Sequence, residues 1–161
     1  MGSFKPSLEK LGLKDLCQIG FVVKDIDAAI AHYDPLFGPF KKTEFGTNYA
    51  HYKDGPREPY ELKIAFGHSG DLEIELIEWV SGDTPHRDFI QAGRDGMHHV
   101  QFRVQGFEGW REKLEAAGYE TIWWDRMSPE IAYGYHQRAG DPLIVELLEY
   151  PETGDPTEPL P

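Results

Sequence analysis

Gln18-Ile19-Gly20-Phe21-Val22-Val23 and His99-Val100-Gln101-Phe102-Arg103-Val104 are two versions of one strand. Apolar residues alternate in both: Ile19, Phe21 and Val23 in the first, Val100, Phe102 and Val104 in the second. A helical spacing follows each strand. Ile26, Ala29, Tyr33 and Phe37 form one apolar stripe, and Phe107, Trp110, Leu114 and Ala117 form the other. Gly38 and Gly118 stand where the two helices end, and a left-handed cap suits glycine.

The repeat extends to the far end of each copy. Gly70-Asp71-Leu72-Glu73-Ile74-Glu75-Leu76-Ile77-Glu78-Trp79 matches Gly140-Asp141-Pro142-Leu143-Ile144-Val145-Glu146-Leu147-Leu148-Glu149-Tyr150 with one inserted residue. Each unit has room for two more strands. Phe45–Tyr52 and Glu61–Gly67 are predicted in the first, Glu120–Asp125 and Ala132–Arg138 in the second. The fold predicted is α+β, with two tandem β-α-β-β-β modules at residues 14–80 and 95–150 forming a curved, cleft-bearing sheet. Residues 81–94 form the linker, which runs into a helical turn at Arg87–Ala92. The proline-rich, acidic tail 151–161 is predicted to be extended or disordered.

Composition narrows the function classes. The 161 residues carry 16 basic and 28 acidic side chains, a formal net charge of −12. That argues against capture of nucleic acid or an anionic membrane. No apolar run approaches the ~18 residues of a membrane span, and the opening MGSFKPSLEKLG lacks a signal-peptide core. Cys17 is the one cysteine, so no intrachain disulfide forms. A cytoplasmic protein acting on a small molecule is the economical expectation. A homodimer stays open.

Strand parity then sorts the faces. Ile19, Phe21 and Val23 belong under their helix, so Gln18, Gly20 and Val22 face the opposite side. By the same rule His99, Gln101 and Arg103 face the cleft, while His98 goes under the helix with Val100. Glu75 and Glu146 face the cleft from the closing strands. The repeat therefore sets Gln18, Glu75, His99 and Glu146 at related positions, able to converge across a pseudo-twofold axis. Two carboxylates, an imidazole and an amide oxygen suit one divalent ion: Zn²⁺, Ni²⁺, Co²⁺, Mn²⁺ or Fe²⁺. Arg103 is a candidate for a substrate carboxylate. Tyr49, Trp123 and Tyr133, with Tyr52, Trp124 and Tyr135, lie on predicted inner strands. They line either an ordinary core or an aromatic pocket for an apolar or ring-bearing substrate. Cys17 has the parity of a packed thiol.

These stretches resemble the vicinal oxygen chelate superfamily of glyoxalases, bleomycin-resistance proteins, dioxygenases and methylmalonyl-CoA epimerases. The resemblance rests on QIGFVVKDIDAAIAHY, IELIEW followed by TPHRDFI, GMHHVQFRV and IVELLEY, and spans residues 14–150. In wording it is nearest to the methylmalonyl-CoA epimerases. It implies Gln18, Glu75, His99 and Glu146 as metal ligands, a set similar to that of some glyoxalase I enzymes. Pro59 stands where the epimerases carry a catalytic glutamate, with Glu58 and Glu61 out of register. AYGYHQRAGDP replaces their basic, proline-containing CoA segment, and the glutathione-binding arginines of glyoxalase I are not recognisable.

The chemistry implied is chelation of two neighbouring substrate oxygens, which acidifies an adjacent C–H and stabilises an enediolate. Glu75 and Glu146 would carry the proton. The expected activity is that of a metal-dependent epimerase or isomerase. A glyoxalase-type lyase and a non-catalytic, drug-sequestering binding protein are the alternatives. A ring-cleaving dioxygenase is disfavoured, because Gln18 stands where its first histidine belongs.

Overall fold

The computed structural model describes residues 11–159. The opening segment up to residue 10, and the last two residues of the tail, lie outside the described residues. The strands are β1 (Leu16–Val22), β2 (Lys41–Thr43), β3 (Asn48–Tyr52), β4 (Arg57–Ser69), β5 (Leu72–Ser81), β6 (Gly96–Val104), β7 (Tyr119–Ser128), β8 (Ile131–Arg138) and β9 (Ile144–Glu149). The helices α1 (Ile26–Phe37), α2 (Pro85–Gln91) and α3 (Phe107–Ala116) fall between them.

These strands join one mixed sheet in the order β2-β4-β3-β7-β8-β9-β6-β1-β5, and β5 pairs back onto β4. The sheet thereby curls on itself around a central space, an α+β fold with the curved, cleft-bearing sheet that the repeat predicts. Each unit pairs its first and closing strands in parallel, β1 with β5 and β6 with β9. The units meet through an antiparallel β1–β6 pair and a short β3–β7 pair at His51–Trp124 and Tyr52–Trp123.

The alternating residues read from the sequence build the outer core. Val23, Ile26, Ala29, Ala65 and Leu76 pack α1 onto the first unit. Val104, Phe107, Leu114, Tyr119, Val145 and Leu147 pack α3 onto the second.

The closing strands also cap the helices. Glu78 Oε1 accepts from the Ile26 N–H at 3.0 Å. Glu149 Oε1 accepts from the Gly106 and Phe107 N–H groups at 2.6 and 3.0 Å. Glu78 and Glu149 each lie three residues beyond Glu75 and Glu146, on the opposite strand face. A carboxylate at a helix N-terminus satisfies orphan donors and complements the helix dipole. α1 has its own Asp25 cap as well, whereas α3 begins at Gly106 with φ 77° and no side-chain cap of its own.

Several local features depart from the sequence expectation. The first unit carries the additional strand β2, paired with β4 at Lys41–Phe66. β3 starts at Asn48 rather than Phe45, after Gly46 turns the chain with φ 68°. Gly38 ends α1 in an extended conformation, φ −79°, and not in the left-handed cap that the sequence predicts. It is needed for space: a Cβ there would lie 2.2 Å from the Asp34 carboxylate. Gly118 does take the left-handed form, φ 93°. The helical turn between the units begins at Pro85, capped by Thr84, and buries His86 and Phe89. Residues 151–159 run in turns against both units. Arg103 donates to the carbonyls of Pro151 at 3.0 Å and Gly154 at 3.3 Å, and Lys41 pairs with Glu158. No helix among the described residues is long and apolar enough to cross a membrane.

Candidate metal centre

β9, β6, β1 and β5 lie side by side, so Glu146 and Glu75 flank the central pair carrying His99 and Gln18. All four side chains are buried. His99 Nε2 lies 3.3 Å from Gln18 Oε1, 3.3 Å from Glu75 Oε1 and 3.2 Å from Glu146 Oε2. Ligand atoms from Glu75, His99 and Glu146 all fall within 4.8 Å of one another.

The ring reaches this position because β1 has no side chain opposite it. A Cβ on Gly20 would lie 2.0 Å from His99 Cε1 and 2.3 Å from Nε2. The glycine is therefore part of the site. A bulge in β6 adds to the effect: Gly20 faces His99 but Phe21 faces Met97, which leaves His98 unpaired. Alternation alone places His98 under α3. The bulge instead turns it toward α2, with its ring 5.4 Å from His86 and 5.0 Å from Phe89. Its Nδ1 lies 3.0 Å from His99 Nδ1.

Further contacts fix the orientation of the donors. Gln18 Nε2 donates to Glu73 Oε1 at 2.6 Å, which turns Gln18 Oε1 toward the centre. Gln101 Nε2 donates to Gln18 Oε1 at 3.2 Å and Glu146 Oε2 at 3.1 Å. The Cys17 thiol donates to the Gln101 carbonyl at 3.2 Å. Burial, with Glu146 and Glu73 nearby, pushes that thiol up to about 11, so it stays protonated. His86 Nε2 meets the Tyr135 hydroxyl at 2.8 Å, and the Tyr135 ring packs 4.7 Å from that of His99.

The donor set fits a cation on its own geometry. Three oxygens converge on one ring nitrogen that has at most one proton to give. Burial raises Glu75 to about 7, against the pull of His99. Burial alone would depress His99, but its contacts with Glu146 and Glu75 carry it up to about 9. The two carboxylates thus favour positive charge at the His99 ring. A divalent ion would supply that charge, and Glu75, His99 and Glu146 offer ligand atoms close enough together to hold one. Mixed oxygen and nitrogen ligands suit a first-row divalent metal, with positions left for water or substrate.

The carboxylates open onto a cavity of ≈ 950 Å³, including the space at its mouth. Trp123, Tyr133 and Tyr135 line it, as does Tyr60. The Tyr133 hydroxyl donates to the Tyr49 carbonyl at 2.9 Å, so the Tyr60 hydroxyl, 2.6 Å away, is the donor in their mutual bond. Two predicted binding residues lie elsewhere. Tyr49 points outward and is 43% exposed, with Arg57 over its ring, because Asn48 and Ala50 take the inward positions of β3. The Arg103 guanidinium is held by the tail carbonyls and does not line the cavity. Trp124 packs on the α3 side beside Phe107 and His51. Tyr52 bonds Asp88.

Sequence reasoning gave Gln101 a cleft-facing position without a role, and missed Glu73, Tyr60 and His86. Glu73 carried a readable signal, since it shares the parity of Glu75. Tyr60 and His86 did not, because they reach the site through a longer β4 and a longer α2 than the pattern showed.

A model of the Glyoxalase/Bleomycin resistance protein/Dioxygenase superfamily matches residues 17–135. The protein YqjC of Bacillus subtilis (strain 168), described as uncharacterized, is 27% identical over 97 residues, covering 57% of this chain and 68% of that protein. Among solved structures, hypothetical protein BH1468 from Bacillus halodurans C-125 superposes with a TM-score of 0.61 at 23% identity, covering 88% of this chain and 97% of that one. Methylmalonyl-CoA epimerase from Mycobacterium tuberculosis gives 0.58 at 17% identity over 92% and 90% of the two chains. A single-residue variant of the Streptomyces coelicolor methylmalonyl-CoA epimerase, in complex with 2-nitronate-propionyl-CoA, gives 0.62 at 16% identity over 90% and 100%. At these identities the likeness is one of fold.

Proposed function

The chain belongs to the glyoxalase/bleomycin resistance protein/dioxygenase superfamily, and on that premise we propose that it is a metal-dependent epimerase or isomerase that moves a proton beside a carbonyl. One observation carries the reading. Two carboxylates related by the internal repeat, Glu75 and Glu146, flank His99 and Gln18 and both line one cavity. Gln18, Glu75, His99 and Glu146 would hold the ion. When bound, the ion supplies Lewis-acid polarisation of neighbouring substrate oxygens.

The remaining roles fall to the chain's own residues. Glu75 and Glu146 enter from opposite sides of the β1–β6 pair, so each has access to a different face of a substrate lying over that pair. One, as the carboxylate, takes the proton from the carbon, and the other, as the carboxylic acid, delivers its own proton to the opposite face, so the two end with their protonation states exchanged. Gln101 holds the Glu146 carboxylate and the Gln18 amide oxygen in place. Pro59 lies in β4 paired with Tyr49, on an outward stretch, so no carboxylate from that position joins the site.

The test is exchange in D₂O. Protein loaded with Zn²⁺, Co²⁺, Ni²⁺ or Mn²⁺ should wash deuterium into the acidic C–H of a 2-hydroxy ketone, followed by proton NMR. Glu75→Ala and Glu146→Ala should each suppress exchange, one face more than the other. Turnover of methylmalonyl-CoA should be poor. Metal-loaded protein that binds such ketones yet exchanges none of them would overturn the enzymatic reading in favour of a binding protein.

A further inference from the structure

We propose that the cavity selects an uncharged compound with an aryl or other apolar body and two neighbouring oxygens, such as an aryl 2-hydroxy ketone, and discriminates against anions. This rests on the metal-site reading above and specifies what that site accepts.

The charges around the cavity carry the argument. Glu73, Glu75, Glu146 and Glu158 all line it, and among the described residues no lysine, arginine or histidine does. A divalent ion at the centre would offset two of those carboxylates and Lys41 pairs with a third, Glu158, which leaves one negative charge on the wall without a cation. An anionic substrate group would therefore enter a field that stays negative, with no cation to replace its lost hydration. The cations Arg57 of β4, Lys41 of β2 and Arg103 of β6 are already engaged. Arg57 makes a two-pronged bond to Asp125 at 2.8 and 3.1 Å. Lys41 is on Glu158, and Arg103 is on the tail carbonyls. Phosphate and carboxylate recognition draws on such arginine and lysine groups, free and convergent, and this wall presents none.

The rest of the wall is apolar. Leu62, Ile64, Phe66, Trp123, Met127 and Leu148 surround the space below the carboxylates. The Tyr60 and Tyr133 rings pack 5.0 and 5.1 Å from that of Trp123, an aromatic side to the cavity. Apolar pockets with a few convergent polar groups bind ligands by burying an apolar body and orienting it at one end. Here the orienting end is the metal centre and the body lies against the rings. The acyl-CoA of the structural relatives and a glutathione adduct both carry anionic groups that this wall does not address.

The experiment compares two probes with the same chelating end, 2-hydroxyacetophenone and its 4-carboxylate, by calorimetry and ligand-observed NMR at about pH 7.5, where the carboxylate is ionised. Full-length protein is used in metal-loaded and metal-free forms. The neutral probe should bind at least ~10-fold tighter than the carboxylate, ~1.4 kcal/mol, and the gap should widen without metal. Met127→Lys, which places a cation on the wall, should narrow or reverse it. Equal or tighter binding of the carboxylate, or no binding of the neutral probe to either form, overturns the proposal. Neutral binding that is indifferent to metal contradicts the metal-site reading beneath it while leaving the charge preference measured.

Discussion

Gly20→Ala should disable the centre without touching any ligand. The added Cβ would meet His99 Cε1 at 2.0 Å and Nε2 at 2.3 Å. Carbon atoms settle at about 3.5–4.0 Å, so the ring must retreat by more than ~1 Å. Its retreat is blocked, since Tyr135 packs at 4.7 Å and His98 Nδ1 stands 3.0 Å from His99 Nδ1. Metal–ligand distances tolerate only ~0.2 Å. Losing outer-shell support alone costs about 10–100-fold in affinity, so displacing the ligand itself should cost at least ~100-fold. Overpacking should also take about 1–3 kcal/mol from stability. The assay is competition for Zn²⁺ against a chromophoric chelator, with circular dichroism to verify folding. Gly109→Ala is the control, because nothing lies within 4 Å of its Cβ and it sits inside α3. It should leave the metal untouched and gain about 0.5–1 kcal/mol in stability. A folded Gly20→Ala protein with unchanged zinc affinity would refute the reasoning.

The helix caps and the remote buried histidine give further tests. Glu149→Ala strands the Gly106 and Phe107 donors and removes an Arg126 partner at 2.8 Å, so urea denaturation should show a loss of about 2–4 kcal/mol. Glu78→Ala should cost nearer ~1 kcal/mol, because Asp25 still caps α1; equal losses at the two sites would contradict the account. Burial, with Arg111 nearby, depresses His136 to about 3. The unfolded chain takes up this proton below about pH 6.5, so the contribution is full above that value and drains as pH falls toward 3. By linkage it should cost about 2 kcal/mol at pH 5. His136→Gln should flatten the loss of stability between pH 7 and pH 5 by that amount, and an unchanged slope would rule out His136 as its source.

The repeat made the strands and both helices readable, because each unit alternates cleanly where one face meets a helix. That alternation also picked out Gln18, Glu75, His99 and Glu146 as residues of one face, and the structure brings them together. Parity failed at His98 because a bulge leaves no mark in a strand that reads Met-His-His-Val. It failed at Tyr49 because Asn-Tyr-Ala-His-Tyr has no apolar rhythm to separate the faces. Arg103 has the expected parity but lies far enough along β6 to meet the tail, a contact between segments that no local pattern announces. The last glutamates of the two closing strands, Glu78 and Glu149, fall at matching positions of the repeat. Their purpose became clear only when each was seen to cap the helix of its own unit.

Metal stoichiometry tests the central claim most directly. Protein purified without a metal-affinity tag, loaded with a divalent ion and desalted, should hold one equivalent per chain by elemental analysis. His99→Ala and Glu146→Gln, folded as the parent is, should each hold less than about a tenth as much under the same wash, since ligand loss exceeds the outer-shell penalty. Retention of a full equivalent by both variants, or none by the parent, would contradict a metal centre built from Gln18, Glu75, His99 and Glu146.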